Sequence, residues 1–158
     1  ARRRGVRNAR ASQAARHASG QAAAEDDALA NWLKKVYTPI DRMLGQVINP
    51  FAAQLRELSA DPYDDTLMEG FCHYLEQSRS KLDKVKDLFQ STPTPSSAKG
   101  FGLSLYHCLS EVEDAIGEFE RYTLGYVDGY LHDGREMLRE ARQRRKRLQE
   151  ERRRLEIG

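Results

Sequence analysis

The 158-residue chain is short of several things a secreted, membrane-bound or catalytic protein would need. It has two cysteines, Cys72 and Cys108, and one tryptophan. Two thiols cannot staple a small secreted fold, and no apolar leader precedes the charged body, so an intracellular or particle-associated location is expected, organelle and virion interiors included. No run of about 18 apolar residues occurs, which excludes a membrane-spanning helix. Phosphate-binding loops, the dinucleotide fingerprint and the His-Glu-x-x-His zinc motif are all missing. Gly102, Ser104 and Tyr106 make a Gly-x-Ser-x-Tyr sequence within a helical pattern. It lacks the second glycine and the strand that a nucleophile elbow requires. The expectation is therefore a protein that is not an enzyme and carries no cofactor.

Acid is missing too, but only locally. Residues 1–24 hold six arginines and no Asp or Glu, a charge of +6. Residues 25–134 carry −9 and residues 135–158 carry +5, which leaves the net +2. An acidic body thus lies between two basic arms. Almost all the basic residues of the arms are arginine, whose planar fork of donors matches phosphate and carboxylate, so an anionic partner is expected. The candidate anion- or nucleic-acid-binding residues are Arg2, Arg3, Arg4, Arg7 and Arg10 at one end. At the other they are Arg142, Arg144, Arg145, Lys146, Arg147, Arg152, Arg153 and Arg154.

What is present is helical periodicity. Residues 1–24 contain one large apolar side chain, Val6, and read as an extended basic arm. From Glu25 to Ser59 apolar residues recur every three or four positions, through Trp32, Val36, Ile40, Leu44, Val47, Phe51 and Leu55. Pro39 and Pro50 predict a kink or three short helices there, with Thr38 and Asn49 as N-caps. A second helix is expected over about 64–90, then a Pro- and Ser-rich loop over 91–100. A third pattern runs from Phe101 past Gly134 to Leu155 without a proline. Unbroken, it would span roughly 80 Å. The fold expected is all-α: an elongated hairpin or small bundle, with helices over 101–134 and a basic C-terminal extension over 135–158.

Three constellations stand out on these helices. Tyr122, Tyr126 and Tyr130 repeat every four residues beside Gly125 and Gly129, a notch where a partner helix could approach closely. The tail has a heptad seam of Leu131, Leu138, Ala141, Leu148 and Leu155 interrupted by Arg145 and Arg152, weak as a homodimer. Tyr122, Gly125, Tyr126, Gly129, Tyr130, Leu148 and Leu155 are thus the candidate partner-binding residues. Cys72–His73, His107–Cys108 and the Asp128, His132, Glu136 stripe hold metal-type side chains. Adjacent residues diverge by about 100° around a helix, so no metal set is assigned. A Cys72–Cys108 contact would follow from a hairpin in register.

The function expected is a structural or assembly subunit that docks on other protein chains through amphipathic helices. Neither end has the apolar surface to hold itself, so each basic arm should be ordered by a neighbour. Nucleic-acid binding through the arginine-rich ends is the alternative, and a small helical metalloprotein the second. Self-association of basic arm on acidic body is a further expectation.

Overall fold

Apolar stripes repeating at helical spacing need partners on one face, and in the computed structural model of the chain they find them in each other. The structure describes residues 20–157. Helical backbone over 20–32 passes through a π-helical segment, Leu33–Tyr37, into α1 (Thr38–Ile48). Then come α2 (Phe51–Ala60), α3 (Asp65–Ser91), a 3-10 turn at Ser96–Ala98, α4 (Lys99–Gly125) and α5 (Asp128–Ile157). Among the described residues there is no strand, and no helix is long and apolar enough to cross a membrane. Of the expected extended arm, residues 1–19 lie outside the described residues, and 20–24 are helical.

Local chemistry explains the boundaries. Asp64 caps α3 by accepting from the Leu67 N–H at 3.1 Å. Thr38 does not cap as expected. Its backbone is helical and its hydroxyl donates back to the Leu33 carbonyl at 3.0 Å. The widened π turn takes up Pro39, whose ring would otherwise press on the preceding turn, so the helix continues instead of breaking. The chain does turn at Asn49–Pro50, although Asn49 is also helical and no side chain caps α2.

Long-range contacts fix the arrangement. Phe51 of α2 meets Phe71 and Tyr74 of α3, and Tyr74 donates its hydroxyl to the Val47 carbonyl of α1. Arg79 and Lys86 of α3 pair with Glu120 and Glu113 of α4. Arg144 of α5 reaches Glu111 of α4, while Arg145 and Arg135 reach Asp41 and Ser59 on α1 and α2. In each pair the numbering runs in opposite directions, which defines an up-down-up-down four-helix bundle with α1 and α2 sharing one rod. The small bundle, not the open hairpin, is the form the sequence adopts.

The rod expected from Phe101 to the C-terminus is where the structure departs from the sequence pattern. α4 ends at Gly125, and α5 starts at Asp128 and runs back along it. The reversal rests on Tyr126, in the left-handed region (φ 57°, ψ 31°), with its N–H bonded to the Tyr122 carbonyl at 2.8 Å. A left-handed tyrosine costs about 1–2 kcal/mol. Folding back buries Leu131, Leu138, Ala141 and Leu148, and each leucine contributes about 1.5–3 kcal/mol when removed from water. Burial therefore wins by several-fold. The C-terminal arm packs on its own body, and its apolar heptad positions face inward.

At the centre, the rings of Phe51, Phe71 and Phe119 meet, with centroids 5.1 Å apart for Phe51–Phe119 and 5.9 Å for Phe71–Phe119. Gly134 of α5 lies directly against Phe119, and a Cβ built there would sit 2.5 Å from the ring. Gly134→Ala is expected to destabilise the protein by about 1–2 kcal/mol in urea unfolding, because overpacking against the buried Phe119 ring, about 2–3 kcal/mol, outweighs the roughly 1 kcal/mol helix gain of alanine. A neutral or stabilised variant would contradict this packing.

Candidate functional site

Because α5 folds back, much of its basic charge is used inside the bundle. Arg144 Nε donates to Glu111 Oε1 at 2.6 Å, and Arg145 Nε to Asp41 Oδ1 at 2.9 Å, with the Gln149 amide joining Asp41 at 3.3 Å. Gly45 makes room for the Arg145 guanidinium, since a Cβ there would lie 2.8 Å from Nη2. The Arg152 guanidinium sits over the Tyr37 ring, 5.4 Å from its centroid. Burial, then the Asp41 charge, raises the Tyr37 hydroxyl well above its ordinary value.

Arg144, Arg145 and Arg152 are thus engaged by the protein itself, and Leu148, expected at a partner interface, is 2% exposed and belongs to the core. Leu155 is half-buried against the same core. Lys146, Arg147, Arg153 and Arg154 are exposed, and Arg142 is half-buried. Arg2, Arg3, Arg4, Arg7 and Arg10 lie outside the described residues.

The tyrosine stripe also changes meaning. Tyr122 is buried in the last turn of α4, Tyr126 makes the reversal, and Tyr130 lies in the first turn of α5. They do not form one helical row. A Cβ on Gly129 would meet nothing within 4 Å, and one on Gly125 only Val127 at 3.9 Å, so no helix is seated on the expected notch.

Instead, the α2–α3 and α4–α5 turns come together at one end of the bundle. Tyr63 packs on Tyr126 with centroids 5.6 Å apart and the rings tilted by 37°, and Tyr126 meets Tyr122 edge-on at 6.0 Å. Leu124 is 87% exposed, Tyr63 77% and Val127 52%. Burial, then the Asp128 charge, raises the Tyr122 hydroxyl. The result is an aromatic and aliphatic tip at the two turns. Tyr63 and Leu124 were missed in the sequence, and Val127, which the helical period places on the apolar stripe past Phe119, is exposed instead. The readable signal for Tyr63 and Leu124 was large apolar residues beside turn-forming ones, at positions the buried stripes do not need.

A second concavity lies where α2 packs on α5. Arg56, Arg135, Arg139 and Arg142 line it, with Leu55 and Leu138 at its floor. Arg135 is fixed by donating to Ser59 Oγ and to the Leu55 carbonyl. Of these four, only Arg142 was singled out in the sequence. The spacing of Arg135, Arg139 and Arg142 at i, i+4 and i+7 marks one helix face, but Arg56 joins them only through the fold.

The metal-type side chains stay apart. Among the described residues, no group of three or more His, Cys, Asp or Glu side chains is placed to hold a metal ion. Asp128 and His132 are exposed, and Glu136 pairs with Arg139 at 3.3 Å. Cys72 is half-buried beside Thr123 and Leu124, whereas Cys108 is fully buried, its thiol 3.5 Å from the Ala141 carbonyl. The expected Cys72–Cys108 contact is not made, because the antiparallel register of α3 and α4 sends the two toward opposite ends.

Comparison with known proteins places these features in a family context. The family model described as "Cyanobacterial DnaJ chaperone, C-terminal domain" matches residues 24–156. No curated protein and no solved structure matches the chain.

The two thiols should react differently. Burial, then the Glu111 charge, pushes the Cys108 thiol up to about 12, so at about pH 8 it holds almost no reactive thiolate. Iodoacetamide is expected to modify Cys72 in the folded protein and Cys108 only after denaturation, as read by peptide mass spectrometry. Equal labelling of both in the folded state would contradict the buried position of Cys108.

Proposed function

As the chain belongs to the family of cyanobacterial DnaJ chaperone C-terminal domains, we propose that it is a protein-docking module without catalysis of its own, which holds apolar segments of other chains on the aromatic end of its bundle. The observation that carries this reading is the tip formed by Tyr63, Leu124, Tyr126 and Val127. Large exposed apolar side chains gathered at one place are costly to solubility and commonly mark an interaction site. Tyrosines suit the task because they offer broad contact area for little lost side-chain freedom. The hydrogen-bonded left-handed turn at Tyr126 and its ring contact with Tyr63 tie the two turns together, and such preorganisation lowers the ordering cost of binding.

The reading keeps the docking role expected from the sequence and moves it from the amphipathic helix faces to the turns, where Tyr126 was already a candidate. Support for the nucleic-acid alternative is weaker than the raw charge suggested, since Arg144, Arg145 and Arg152 are already engaged. Among the described residues no metal-type cluster supports the metalloprotein alternative.

The test uses a fluorescein-labelled, reduced and carboxymethylated lactalbumin as a permanently unfolded probe. Its affinity for the wild-type chain is compared by anisotropy with that for the Leu124→Gln/Val127→Thr variant. Both positions are exposed, so folding should be unchanged while affinity falls by about tenfold or more, as for loss of central apolar contacts. Binding to the wild type should persist in high salt. Unchanged affinity in the variant would refute the reading, as would a stable dimer of the wild type that the same variant dissolves.

A further inference from the structure

The groove between α2 and α5 has a volume of about 380 Å³ and is lined by Arg56, Arg135, Arg139 and Arg142 over an apolar floor of Leu55 and Leu138, with no acidic side chain in its wall. That is unexpected for a body whose residues 25–134 carry −9. Four other grooves on the molecule each include a carboxylate: Glu76 and Glu120 in one, Asp26, Glu57 and Asp128 in the others. Farther along α5, Arg144 and Arg145 meet acids of the body; the arginines of this groove do not. Among the described residues neither Arg56 nor Arg142 has a carboxylate partner, and Arg139 pairs only with its exposed neighbour Glu136. Arg135 is anchored to Ser59 and the Leu55 carbonyl, which leaves part of its five-donor fork open.

We propose that this groove binds an acidic peptide segment, with successive Asp or Glu carboxylates of another chain seated between the four guanidiniums. Like charges gathered on a common wall repel one another, and an anion relieves that repulsion. Paired N–H donors match the two oxygens of a carboxylate, and the leucine floor accepts the methylene stem of a glutamate. A nucleic acid fits less well. No aromatic ring lines the groove to stack a base. The proposal is independent of the apolar tip and needs a different ligand chemistry.

The test is a fluorescence-anisotropy titration of labelled hexaglutamate against three forms of the full chain at low salt. Wild type should bind, and Arg56→Glu/Arg142→Glu should lose at least about tenfold in affinity. Arg153→Glu/Arg154→Glu, an identical charge change at exposed positions near the end of α5, should stay within about twofold of wild type. The neutral pair Arg56→Gln/Arg142→Gln, which introduces no new charge, should fall between the first two. Leu124→Gln/Val127→Thr should bind hexaglutamate like wild type, which separates this result from failure at the tip. Equal losses in both charge-reversal variants, no binding by wild type, or stronger competition by a single-stranded oligonucleotide of equal charge would each overturn the proposal.

Discussion

The structure depends on one close approach: the Phe119 ring of α4 lying against Gly134 of α5, where a Cβ would come within 2.5 Å. The same ring packs on Phe51 and Phe71, so a single side chain touches α2, α3, α4 and α5. With the missing Cβ, α5 can lie close enough for the backbone to cover the ring. A slip of one residue would rotate every α5 side chain by about 100° around the helix and bring Asp133 or Arg135 onto the aromatic cluster. Register is therefore specified at this point, and the contacts farther along follow from it.

Those contacts explain why opposite charges are separated in the sequence. An acidic body and a basic C-terminal segment look like two surfaces for outside partners, yet the fold places them together. Glu111 with Arg144 and Asp41 with Arg145 and Gln149 lie along the length of α5. Each is partly exposed, so each adds about 1 kcal/mol or less. They select the antiparallel arrangement; the energy that holds it comes from Leu131, Leu138 and Leu148. The chain keeps two surfaces that this internal pairing does not use: an apolar tip at the turns and an arginine groove on the α2–α5 face.

Much of this was legible in the sequence, and the rest was hidden for definable reasons. Helical periods, the start of α3 near residue 64 and the loop after it are local and were read from spacing alone. The reversal at Tyr126 was not, because the left-handed position is filled by a tyrosine where glycine is the usual marker, and no proline follows. With that break missed, the tyrosines looked like one stripe and Leu148 looked like an interface residue. Thr38 carried the signature of a cap, but a π turn absorbed Pro39 and made the cap unnecessary. The groove combines three arginines of α5 with Arg56, more than seventy positions earlier in the chain, and only the closed bundle brings them together.

The fold-back of α5 is tested most directly by a distance across it. Spin labels at exposed His107→Cys and Arg147→Cys, in a Cys72→Ser/Cys108→Ala background, sit on facing stretches of α4 and α5. Helix axes about 8–10 Å apart predict a pulsed electron paramagnetic resonance distance within about 25 Å. A continuous helix through Tyr126 would instead give about 60 Å, and that result would contradict the account.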